Sequence, residues 1–477
     1  MLVAWAVAKG LLLFQWDQSA AFYGNKMDRP GVIVRLPPGF DPTADVLRPL
    51  HLPPLYGELR AALPGIPQGS LLHYRELSPA LQEEGFEPVD ADNCLFLHSA
   101  IDMATSLHVD DGVLAAPSRD HAERVLGASG LGRKKNITWG PLESTLGIDF
   151  KVSYAADQRL VFMSQRAYAI TILERAGMLD CNPARTPATP GRRYTHDDCP
   201  TTDEQKEELA KLGAVGESYH SIVASLNFLV SITRDDMRFI QGKLSKYCKN
   251  PGAEHARALK HALRFLKGTL DYGIEFRWRA ADPEPVDGPL EIIAWTDSSF
   301  ADDMDTGRST LATVQKVNGA TIFASSKLSP RVDSCINHSE LRAFASASDP
   351  SATPDDRKDT DGANVALLKA SRTVVWLRGI KAALERRPLA GMPPTPILVD
   401  NAGVISMLHD ATLKSANKHI FRSLAENRER VHLDKSVVPV KIDTKDNLAN
   451  ALTKQESGIA ESAAQLRLVT GPPTGDI

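Results

Sequence analysis

Several apolar, strand-like runs of this chain end in an aspartate, and this pattern restricts the fold more than any other feature. The run LLLFQWD ends at Asp17, LEIIAWTD ends at Asp297, and PILVD ends at Asp400. Short apolar runs bounded by polar residues are typical of buried strands, and a carboxylate at the end of such a strand needs a partner or a cation. Strand, hairpin, helix, strand and helix follow one another after Leu290, and this order predicts an α/β (α+β) fold with a mixed sheet.

A second pattern places two adjacent acids, Asp110 and Asp111, between the short apolar runs of SLHVDDGVLAA. A β-hairpin with both acids at its turn, beside the strand that ends at Asp17, would gather three carboxylates in a small volume. Like charges at such distances raise each other's pKa, and a divalent cation with oxygen ligands, such as Mg²⁺, removes that cost. Because turns favour aspartate, an ordinary surface turn is the alternative interpretation of the Asp-Asp pair.

The C-terminal half carries another set of acids, formed by Asp297, Asp400 and Glu340 of the helix-prone segment NHSELRAFA. Two strand-end aspartates and a helix-borne glutamate can meet at one edge of a sheet and hold two Mg²⁺ ions across a phosphodiester. In the alternative interpretation each acid is a turn, surface or capping residue. Asp400, which precedes a helical pattern, is a candidate helix N-cap.

Composition and cysteine usage argue against several other classes. The chain has 477 residues, a formal net charge of −4 and five cysteines without a CxxC pair. An odd number of widely spaced cysteines argues against a disulfide scaffold or a cysteine zinc site, and favours an intracellular location, cytoplasmic or nuclear, over secretion. The apolar N-terminus lacks the basic residues of a signal peptide, so we expect a buried helix followed by a buried strand, and no membrane partner.

The middle of the chain alternates helical periodicity with Pro-rich linkers. Helices are predicted around Arg166–Ala176, over Tyr219–Lys249 and over Glu254–Leu270. The third helix has a basic stripe beside its apolar face, formed by Arg257, Lys260, Arg264 and Lys267. This stripe is a candidate surface for nucleic-acid phosphates, and an ordinary solvated face is the alternative.

The segment after Leu290 predicts a hairpin and further helices. Asn318-Gly319, between two apolar runs, is a strong hairpin signal because both residues tolerate positive φ. Helices are predicted over SELRAFASA, Ala366–Leu384 and NAGVISMLHD, with helical segments from there to the end. The polar tract DPSATPDDRKDTDG is predicted to be a disordered insertion.

Taken in order, these blocks resemble the polymerase region of Ty1/copia-type retrotransposon Pol polyproteins. FQWDQSAAFYGNKM and HVDD are similar to the catalytic-aspartate boxes of their reverse transcriptase. Later blocks such as YHSIVASLNFLVSITRDDMRF and HARALKHALRFLKGTLDYGI also resemble the family. AWTDSSFADDMDTGRST, NHSELRAFA, ILVDNAGVI and TKDNLANALTK resemble its ribonuclease H. The resemblance extends from Val3 to about Lys454.

This resemblance implies an RNA-directed DNA polymerase joined to a ribonuclease that cleaves RNA–DNA hybrids. The implied catalytic and metal-binding residues are Asp17, Asp110 and Asp111 in the polymerase and Asp297, Glu340 and Asp400 in the ribonuclease. Gln68 in GIPQGS loosely matches a glutamine on the template or nucleotide side. The implied cofactor is Mg²⁺, with Mn²⁺ as the alternative and two ions per site. The implied partners are an RNA template, a DNA primer, RNA–DNA hybrid and dNTPs.

The resemblance also implies a division into domains. We expect a reverse-transcriptase palm over residues 1–152, with the fingers missing, and thumb or connection helices over 153–289. An RNase H-like α/β domain is expected over 290–456, and a tail over 457–477.

Three departures from the family pattern predict a decayed copy with weak or lost polymerase activity. The fingers are missing, Asn450 stands where the closing box has an aspartate, and His108 replaces a tyrosine. A neutral asparagine is a poorer ligand for a hard cation than a carboxylate. Asp446, one helical turn before Asn450, is a partial substitute at best.

Two other functions stay open. One is a catalytically inactive retroelement remnant that binds nucleic acid through the basic stripe and through Arg133, Lys134 and Lys135. The other is an unrelated metal-dependent nuclease or phosphatase that uses only the Asp297 group. The sequence does not predict the oligomeric state.

Overall fold

The structure is a computed structural model that describes residues 1–37, 55–283, 285, 287–333, 335–348, 373–410, 421–453 and 467–472. The tract DPSATPDDRKDTDG lies outside the described residues, as does the start of the helix predicted from Ala366. The chain forms two compact units. The N-terminal unit consists of Leu2 and Leu11–Thr145, and the C-terminal unit consists of Met1, Val3–Gly10 and Leu146–Ile477.

The chain begins with helix α1 (Leu2–Lys9) and strand β1 (Leu12–Gln18), which confirms the predicted helix and strand. Gly10 ends the helix at φ 73°, in the left-handed region that glycine adopts without a steric penalty. In the C-terminal unit, the Arg159 guanidinium donates hydrogen bonds of 2.9 Å to the carbonyls of Val7 and Ala8. These carbonyls belong to the last turn of α1, where the Val7 carbonyl also accepts a hydrogen bond of 3.4 Å from the Gly10 amide.

An antiparallel sheet of six strands organises the N-terminal unit. Its elements after β1 are β2 (Ile33–Arg35), β3 (Tyr56–Glu58), α2 (Gly69–Glu83), β4 (Phe86–Val89), β5 (Asp92–His98), β6 (Ala104–His108), β7 (Asp111–Ala116), α3 (Arg119–Leu126), α4 (Leu131–Lys135), β8 (Ile137–Pro141) and β9 (Ser144–Thr145). The strand order is β4-β5-β6-β7-β1-β8. Apolar residues of α2 and α3 pack against the strands in one core, which includes Phe14, Leu81, Phe96 and Leu126.

The C-terminal unit continues with a helical region. Its elements are β10 (Ile148–Tyr154), β11 (Gln158–Ser164), α5 (Arg166–Arg175), α6 (Asp203–Ala210), α7 (Ala214–Glu217), α8 (Tyr219–Val230), α9 (Arg238–Ser245), α10 (Ala253–Gly268) and β12 (Ile274–Arg279). The three strands are antiparallel with β11 in the middle. Helices α5 and α7–α10 share one apolar core, and α5 and α10 lie close to their predicted bounds.

The single helix predicted over Tyr219–Lys249 is wrong in its middle, because the chain leaves the helical path between α8 and α9. Arg234, a buried residue in this break, forms two hydrogen bonds to the Asp236 carboxylate at 2.9 and 2.8 Å. It also donates to the carbonyl and hydroxyl of Thr269 at 3.0 and 2.6 Å. Satisfying a buried guanidinium in this way outweighs the helical hydrogen bonds that are lost.

A mixed sheet of five strands follows in the same unit. Its elements are β13 (Ile292–Ser299), β14 (Thr310–Val317), β15 (Ala320–Leu328), α11 (Ile336–Ser348), α12 (Thr373–Leu384), β16 (Thr395–Val399), α13 (Ala402–His409), α14 (Phe421–His432) and β17 (Val437–Lys441). The strand order is β15-β14-β13-β16-β17. Strands β13–β15 pair antiparallel, and β13, β16 and β17 pair parallel. The predicted hairpin is confirmed, with Asn318 and Gly319 at φ 48° and 79°.

Strand β17 corrects the prediction of helical segments alone after NAGVISMLHD. It is a five-residue edge strand that contains Pro439. Proline lowers the strand propensity of a sequence but is tolerated at a sheet edge, so the pattern gave too weak an indication of this strand.

Candidate metal centres

The polymerase-type acids lie at one end of the sheet in the N-terminal unit. Asp17 on β1 is the direct cross-strand partner of Asp111 on β7, so their side chains extend from the same face of the sheet. Asp110 occupies the two-residue turn between β6 and β7, and its carbonyl accepts a hydrogen bond of 2.9 Å from the Gln18 amide. We name Asp17, Asp110 and Asp111 the hairpin acids.

The turn that carries Asp110 has an uncommon backbone. Val109 has φ 61°, a region that β-branched residues rarely occupy and that costs about 1–3 kcal/mol. Gly112, just beyond the acids, is required by packing, since a Cβ there would lie 2.2 Å from the Trp16 ring. That ring is buried and donates a hydrogen bond of 3.1 Å to the Thr105 hydroxyl. The residues around this turn are therefore restricted by the tight packing of β1 against β7.

The hairpin acids influence one another electrostatically. Partial burial and the charge of Asp110 raise the pKa of Asp17. The pKa of Asp111 is raised by partial burial, then by Asp110 and Asp17, while the exposed His108 opposes the shift. His73 on α2 also interacts with Asp110, although burial is the main cause of its lowered pKa. The turn therefore concentrates negative charge. The three carboxylates do not, however, form a group close enough in this structure to hold a metal ion, so their role as ligands stays a prediction.

The second set of acids, Asp297, Glu340 and Asp400, comes from three separate elements of the C-terminal unit. Each offers one carboxylate oxygen, and these oxygens lie within 4.8 Å of one another. Among the described residues, this is the one group of three or more His, Cys, Asp and Glu side chains close enough to hold a metal ion. We name it the buried triad, since Asp297 and Glu340 are 0% and 4% exposed, although Asp400 is only half-buried.

The topology of the sheet explains how the buried triad forms. Asp297 lies on the central strand β13, next to Thr296, which pairs in parallel with Val399 at the end of β16. Asp400 follows β16 directly, so it lies beside the C-terminal part of β13 that carries Asp297. Glu340 comes from α11, where the hydroxyl of its neighbour Ser339 forms a hydrogen bond of 2.7 Å with Ser298. This bond ties the helix to the strand beside both acids.

The alternative role of Asp400 as a helix N-cap is wrong. Asn401 caps α13, because its side-chain oxygen accepts hydrogen bonds from the amides of Gly403 and Val404 at 2.9 and 3.3 Å. The Asp400 carboxylate is therefore available to the triad, while its carbonyl accepts a hydrogen bond of 2.6 Å from Lys441.

A short helix over Leu448–Leu452 closes the site. Asn450 within it is buried, and its side-chain oxygen has no hydrogen-bond partner among the described residues. Asp446 is exposed and does not belong to the buried triad. Thr453, which the sequence analysis did not single out, donates a hydrogen bond to the Asp297 carboxylate.

The loop after β13 is held by ion pairs to Lys243 of α9 and to Lys246, the residue that follows this helix. Lys243 contacts Asp302 at 2.7 Å, and Lys246 contacts Asp303 and Asp305 at 2.8 and 2.6 Å. Burial would raise the pKa of Asp303, but hydrogen bonds from Lys246 and Thr306 outweigh burial and lower it. The pKa of Asp305 is lowered in the same way, chiefly through Lys246. We name these pairs the α9 clasp.

The predicted nucleic-acid contacts have varied surroundings. Gln68 is the N-cap residue of α2 but makes no side-chain capping bond. On α10, Arg257 forms ion pairs with Glu208 and Glu254, and Arg264 donates a hydrogen bond of 2.7 Å to the carbonyl of Asn182. Lys260 and Lys267 are half-buried on the same helix. Their role in binding nucleic acid stays a prediction.

Other predictions concern the basic segment, the cysteines and the membrane. The side chains of Arg133 and Lys134 lie outside the described part, and Lys135 forms an ion pair with Glu76. All five cysteines are free thiols. In the part of the chain that the structure describes, no helix combines the length and apolar character needed to cross a membrane.

Comparison with known proteins identifies the class of protein to which this chain is similar. Residues 1–190 match the family model described as reverse transcriptase (RNA-dependent DNA polymerase). The chain is 24% identical over 455 residues to the retrovirus-related Pol polyprotein from transposon TNT 1-94 of Nicotiana tabacum, covering 94% of this chain and 30% of that protein. The Arabidopsis thaliana Pol polyproteins from transposons RE2 and RE1 are 27% and 26% identical, each over 98% of this chain and 28% of their own length.

These matches identify the family. The chain belongs to the Ty1/copia-type retrotransposon Pol polyproteins. It spans less than a third of the length of these three relatives.

Proposed function

We propose that the chain performs the polymerase and ribonuclease steps of a copia-type retroelement at two separate metal centres. The hairpin acids would serve RNA-directed DNA synthesis, and the buried triad would serve cleavage of the RNA strand in an RNA–DNA hybrid. The observation that carries the ribonuclease part is the convergence of three carboxylates from three distant elements within 4.8 Å. Such a buried group of like charges is costly unless a cation compensates it. The polymerase part rests on the reverse transcriptase match over residues 1–190.

The proposed domains follow from this assignment. The N-terminal unit corresponds to a polymerase palm, with its acids at the end of an antiparallel sheet. The helical region between β10 and β12 corresponds to a thumb or connection, and the five-stranded mixed sheet with its helices corresponds to an RNase H-like domain. The predicted boundaries at residues 289 and 456 belong to this proposal. The predicted boundary at residue 152 lies beyond the end of the N-terminal unit at Thr145, within strand β10.

The donor set suits Mg²⁺, with Mn²⁺ as the alternative, because every proposed ligand is a carboxylate oxygen. The buried triad would hold two ions in the ribonuclease. Asp17, Asp110 and Asp111 are the proposed ligands of two ions in the polymerase, although their carboxylates do not form a group close enough in this structure to hold one. When bound, such ions activate the attacking oxygen and stabilise the leaving oxygen in a phosphodiester displacement. The half-buried hairpin acids would remain partly accessible to a primer end and a dNTP.

The chain's own residues would orient the ribonuclease chemistry. Asp297 and Asp400 hold their carboxylates close together, and Glu340 presents a third from α11. The Ser298–Ser339 hydrogen bond keeps strand and helix in place while a hybrid binds. The hybrid would be recognised by its backbone shape and 2′-hydroxyls, with Lys260, Lys267 and the rest of the basic stripe as candidate phosphate contacts.

One observation favours a second candidate function, a catalytically inactive remnant that binds nucleic acid. Asn450 contributes a neutral amide where the family pattern has an aspartate, so cation binding at the triad would be weaker. This remnant would keep the phosphate contacts and lose metal-dependent turnover.

Paired substitutions in the full chain test the proposal. We expect Asp111→Ala to abolish primer extension on an RNA template and to spare cleavage of a labelled RNA–DNA hybrid. Asp297→Ala should spare extension and abolish cleavage. Asp446→Ala, which removes an exposed acid outside both groups, is the matched control and should change neither activity.

Three outcomes would count against the proposal. Loss of both activities through one substitution would contradict two independent centres. Undiminished primer extension by Asp17→Ala would show that Asp17, and with it the group of hairpin acids, does not serve the polymerase. Hybrid binding without any metal-dependent turnover in the unsubstituted chain would favour the inactive remnant.

A further inference from the structure

The segment Asn447–Thr453, which we name the closing segment, is firmly attached to the central strand β13. The Asn447 side chain is fully buried, and its amide donates a hydrogen bond of 2.9 Å to the carbonyl of Thr296. Its side-chain oxygen accepts a hydrogen bond of 3.2 Å from the amide of Ala449, which caps the short helix. Leu448 and Leu452 pack in a core with strands β14 and β15. The segment therefore has little freedom to move relative to Asp297.

Thr453 ends this segment and is 1% exposed. Its hydroxyl lies within hydrogen-bond distance of the Asp297 carboxylate and 3.1 Å from the carbonyl of Asn450. A hydroxyl has one proton to donate. An ionised carboxylate is the stronger acceptor, so the proton goes to Asp297.

The consequence concerns the orientation of Asp297. One carboxylate oxygen accepts from a hydroxyl whose own backbone is fixed, so rotation of the carboxylate is restricted. Residues that orient a ligand in this way raise metal affinity because the ligand need not be ordered on binding. Thr453 contributes no carboxylate, yet it is positioned to act on the cation through Asp297.

We propose that Thr453 is a positioning residue that sets the orientation of Asp297 and thereby the cation affinity of the buried triad. The inference rests on the proposed metal binding of that triad. The closing segment would then contribute to cation binding through Thr453, although its residue Asn450 carries no charge.

The test measures Mn²⁺ binding to the full chain by the electron paramagnetic resonance signal of free Mn²⁺. Thr453→Val keeps the shape of the side chain and removes the hydroxyl, so we expect Mn²⁺ affinity at the triad to fall about tenfold or more. Thr453→Ser restores the hydroxyl and should stay within about twofold of the unsubstituted chain. Asp297→Asn removes one proposed ligand of the triad, so the Mn²⁺ binding that this variant loses is assigned to the triad.

Thr313→Val is the matched control. Thr313 is a 1% exposed threonine on β14, it pairs with Thr296 across the strands, and its hydroxyl has no hydrogen-bond partner among the described residues. Its substitution should leave Mn²⁺ affinity unchanged. Melting in EDTA separates a binding effect from unfolding, and Thr453→Ala takes the place of Thr453→Val if the valine variant does not fold.

The outcomes distinguish this inference from the proposed function. Unchanged Mn²⁺ affinity in a folded Thr453→Val or Thr453→Ala variant would overturn the positioning role and leave the triad intact. If the unsubstituted chain shows no Mn²⁺ binding that depends on Asp297, the metal centre itself is rejected, and the inference with it. If Thr313→Val and Thr453→Val lose Mn²⁺ affinity equally, the cause is a general loosening of the sheet. That result would refute the specific role of Thr453 in orienting Asp297.

Discussion

The hairpin acids and the buried triad bring carboxylates together by different routes, and only the triad is close enough in this structure to hold a metal ion. Asp110 and Asp111 are adjacent in sequence, and one strand pairing places Asp17 opposite Asp111. The triad instead needs a central strand, a helix and a parallel strand to fold before its oxygens lie within 4.8 Å. The first group is a product of local register, and the second is a product of the whole sheet.

The difference also determines how each group tolerates its charge. The hairpin acids are half-buried, so water partly screens their repulsion. The pKa of Asp17 and Asp111 is raised mainly by partial burial and less by the neighbouring carboxylates. Asp297 and Glu340 are almost fully buried, where an ionised group requires hydrogen bonds and an opposite charge. We therefore expect substitutions at the triad to have the larger effects on cation binding.

The largest effect is expected from Asp400→Asn. Removing an ionised ligand should weaken Mn²⁺ binding at the triad by at least about a hundredfold, since partners outside the ligand shell already contribute about 10–100-fold. Asn401→Ala, next to it, should cost about 1 kcal/mol of stability through the lost cap and leave Mn²⁺ affinity nearly unchanged. Mn²⁺ titration measures the affinity, and thermal melting measures the stability. If Asp400→Asn lowers the stability and Asn401→Ala lowers the affinity, Asp400 is the structural residue of the two.

A smaller gain is expected from Asn450→Asp. The side-chain oxygen of Asn450 is buried without a partner among the described residues, and a carboxylate there should tighten Mn²⁺ binding about tenfold. The same variant should melt at a lower temperature in EDTA, because it adds a buried negative charge. Asp446→Asn is the control, and identical Mn²⁺ affinity in Asn450→Asp would show that the closing segment does not face the cation.

The two hairpin turns offer a third contrast. Val109 adopts positive φ at the turn of the hairpin acids, whereas Asn318 and Gly319 do so in the β14–β15 turn. Replacing Val109 by glycine should stabilise the N-terminal unit by about 1 kcal/mol, after the entropy of glycine is subtracted from the relieved strain. Asn318→Val should destabilise its hairpin by a similar amount. Denaturant unfolding followed by hydrogen exchange measures both, and a destabilised Val109→Gly variant would contradict strain at the turn.

The smallest effect concerns pH without divalent cations. Because the folded-state pKa of Asp17 and Asp111 is raised, their contribution to stability is present below about pH 4 and is lost as pH rises through the raised pKa. Asp303 and Asp305 of the α9 clasp have lowered pKa values, so their contribution is present above about pH 4 and is lost as pH falls.

Hydrogen exchange followed separately in the two units against pH checks these opposite signs. Asp111→Asn should reduce the pH dependence of hydrogen exchange in the N-terminal unit. Lys246→Met should reduce the pH dependence of hydrogen exchange around the α9 clasp. Parallel pH profiles in both regions, unaffected by the two substitutions, would contradict the electrostatic contrast.

Particular elements show how far the sequence predicts this fold. The Asn318-Gly319 hairpin and helices α5 and α10 follow from turn chemistry and periodicity, which depend on neighbouring residues. The break between α8 and α9 and the edge strand β17 were not predicted. The break depends on Arg234 meeting Thr269 from a distant part of the chain, and β17 depends on a partner strand.

The sequence by itself determined which residue types end the strands, the order of the family blocks and the acids that could act. It determined these because apolar period, turn preference and ionisable groups are properties of short segments. Only the tertiary structure decided that Asn401 rather than Asp400 caps α13, that Arg257 is already paired, and that Thr453 contacts Asp297. Each of these depends on atoms brought together by packing, and the free energy of burying a charge is set by such neighbours rather than by adjacent residues.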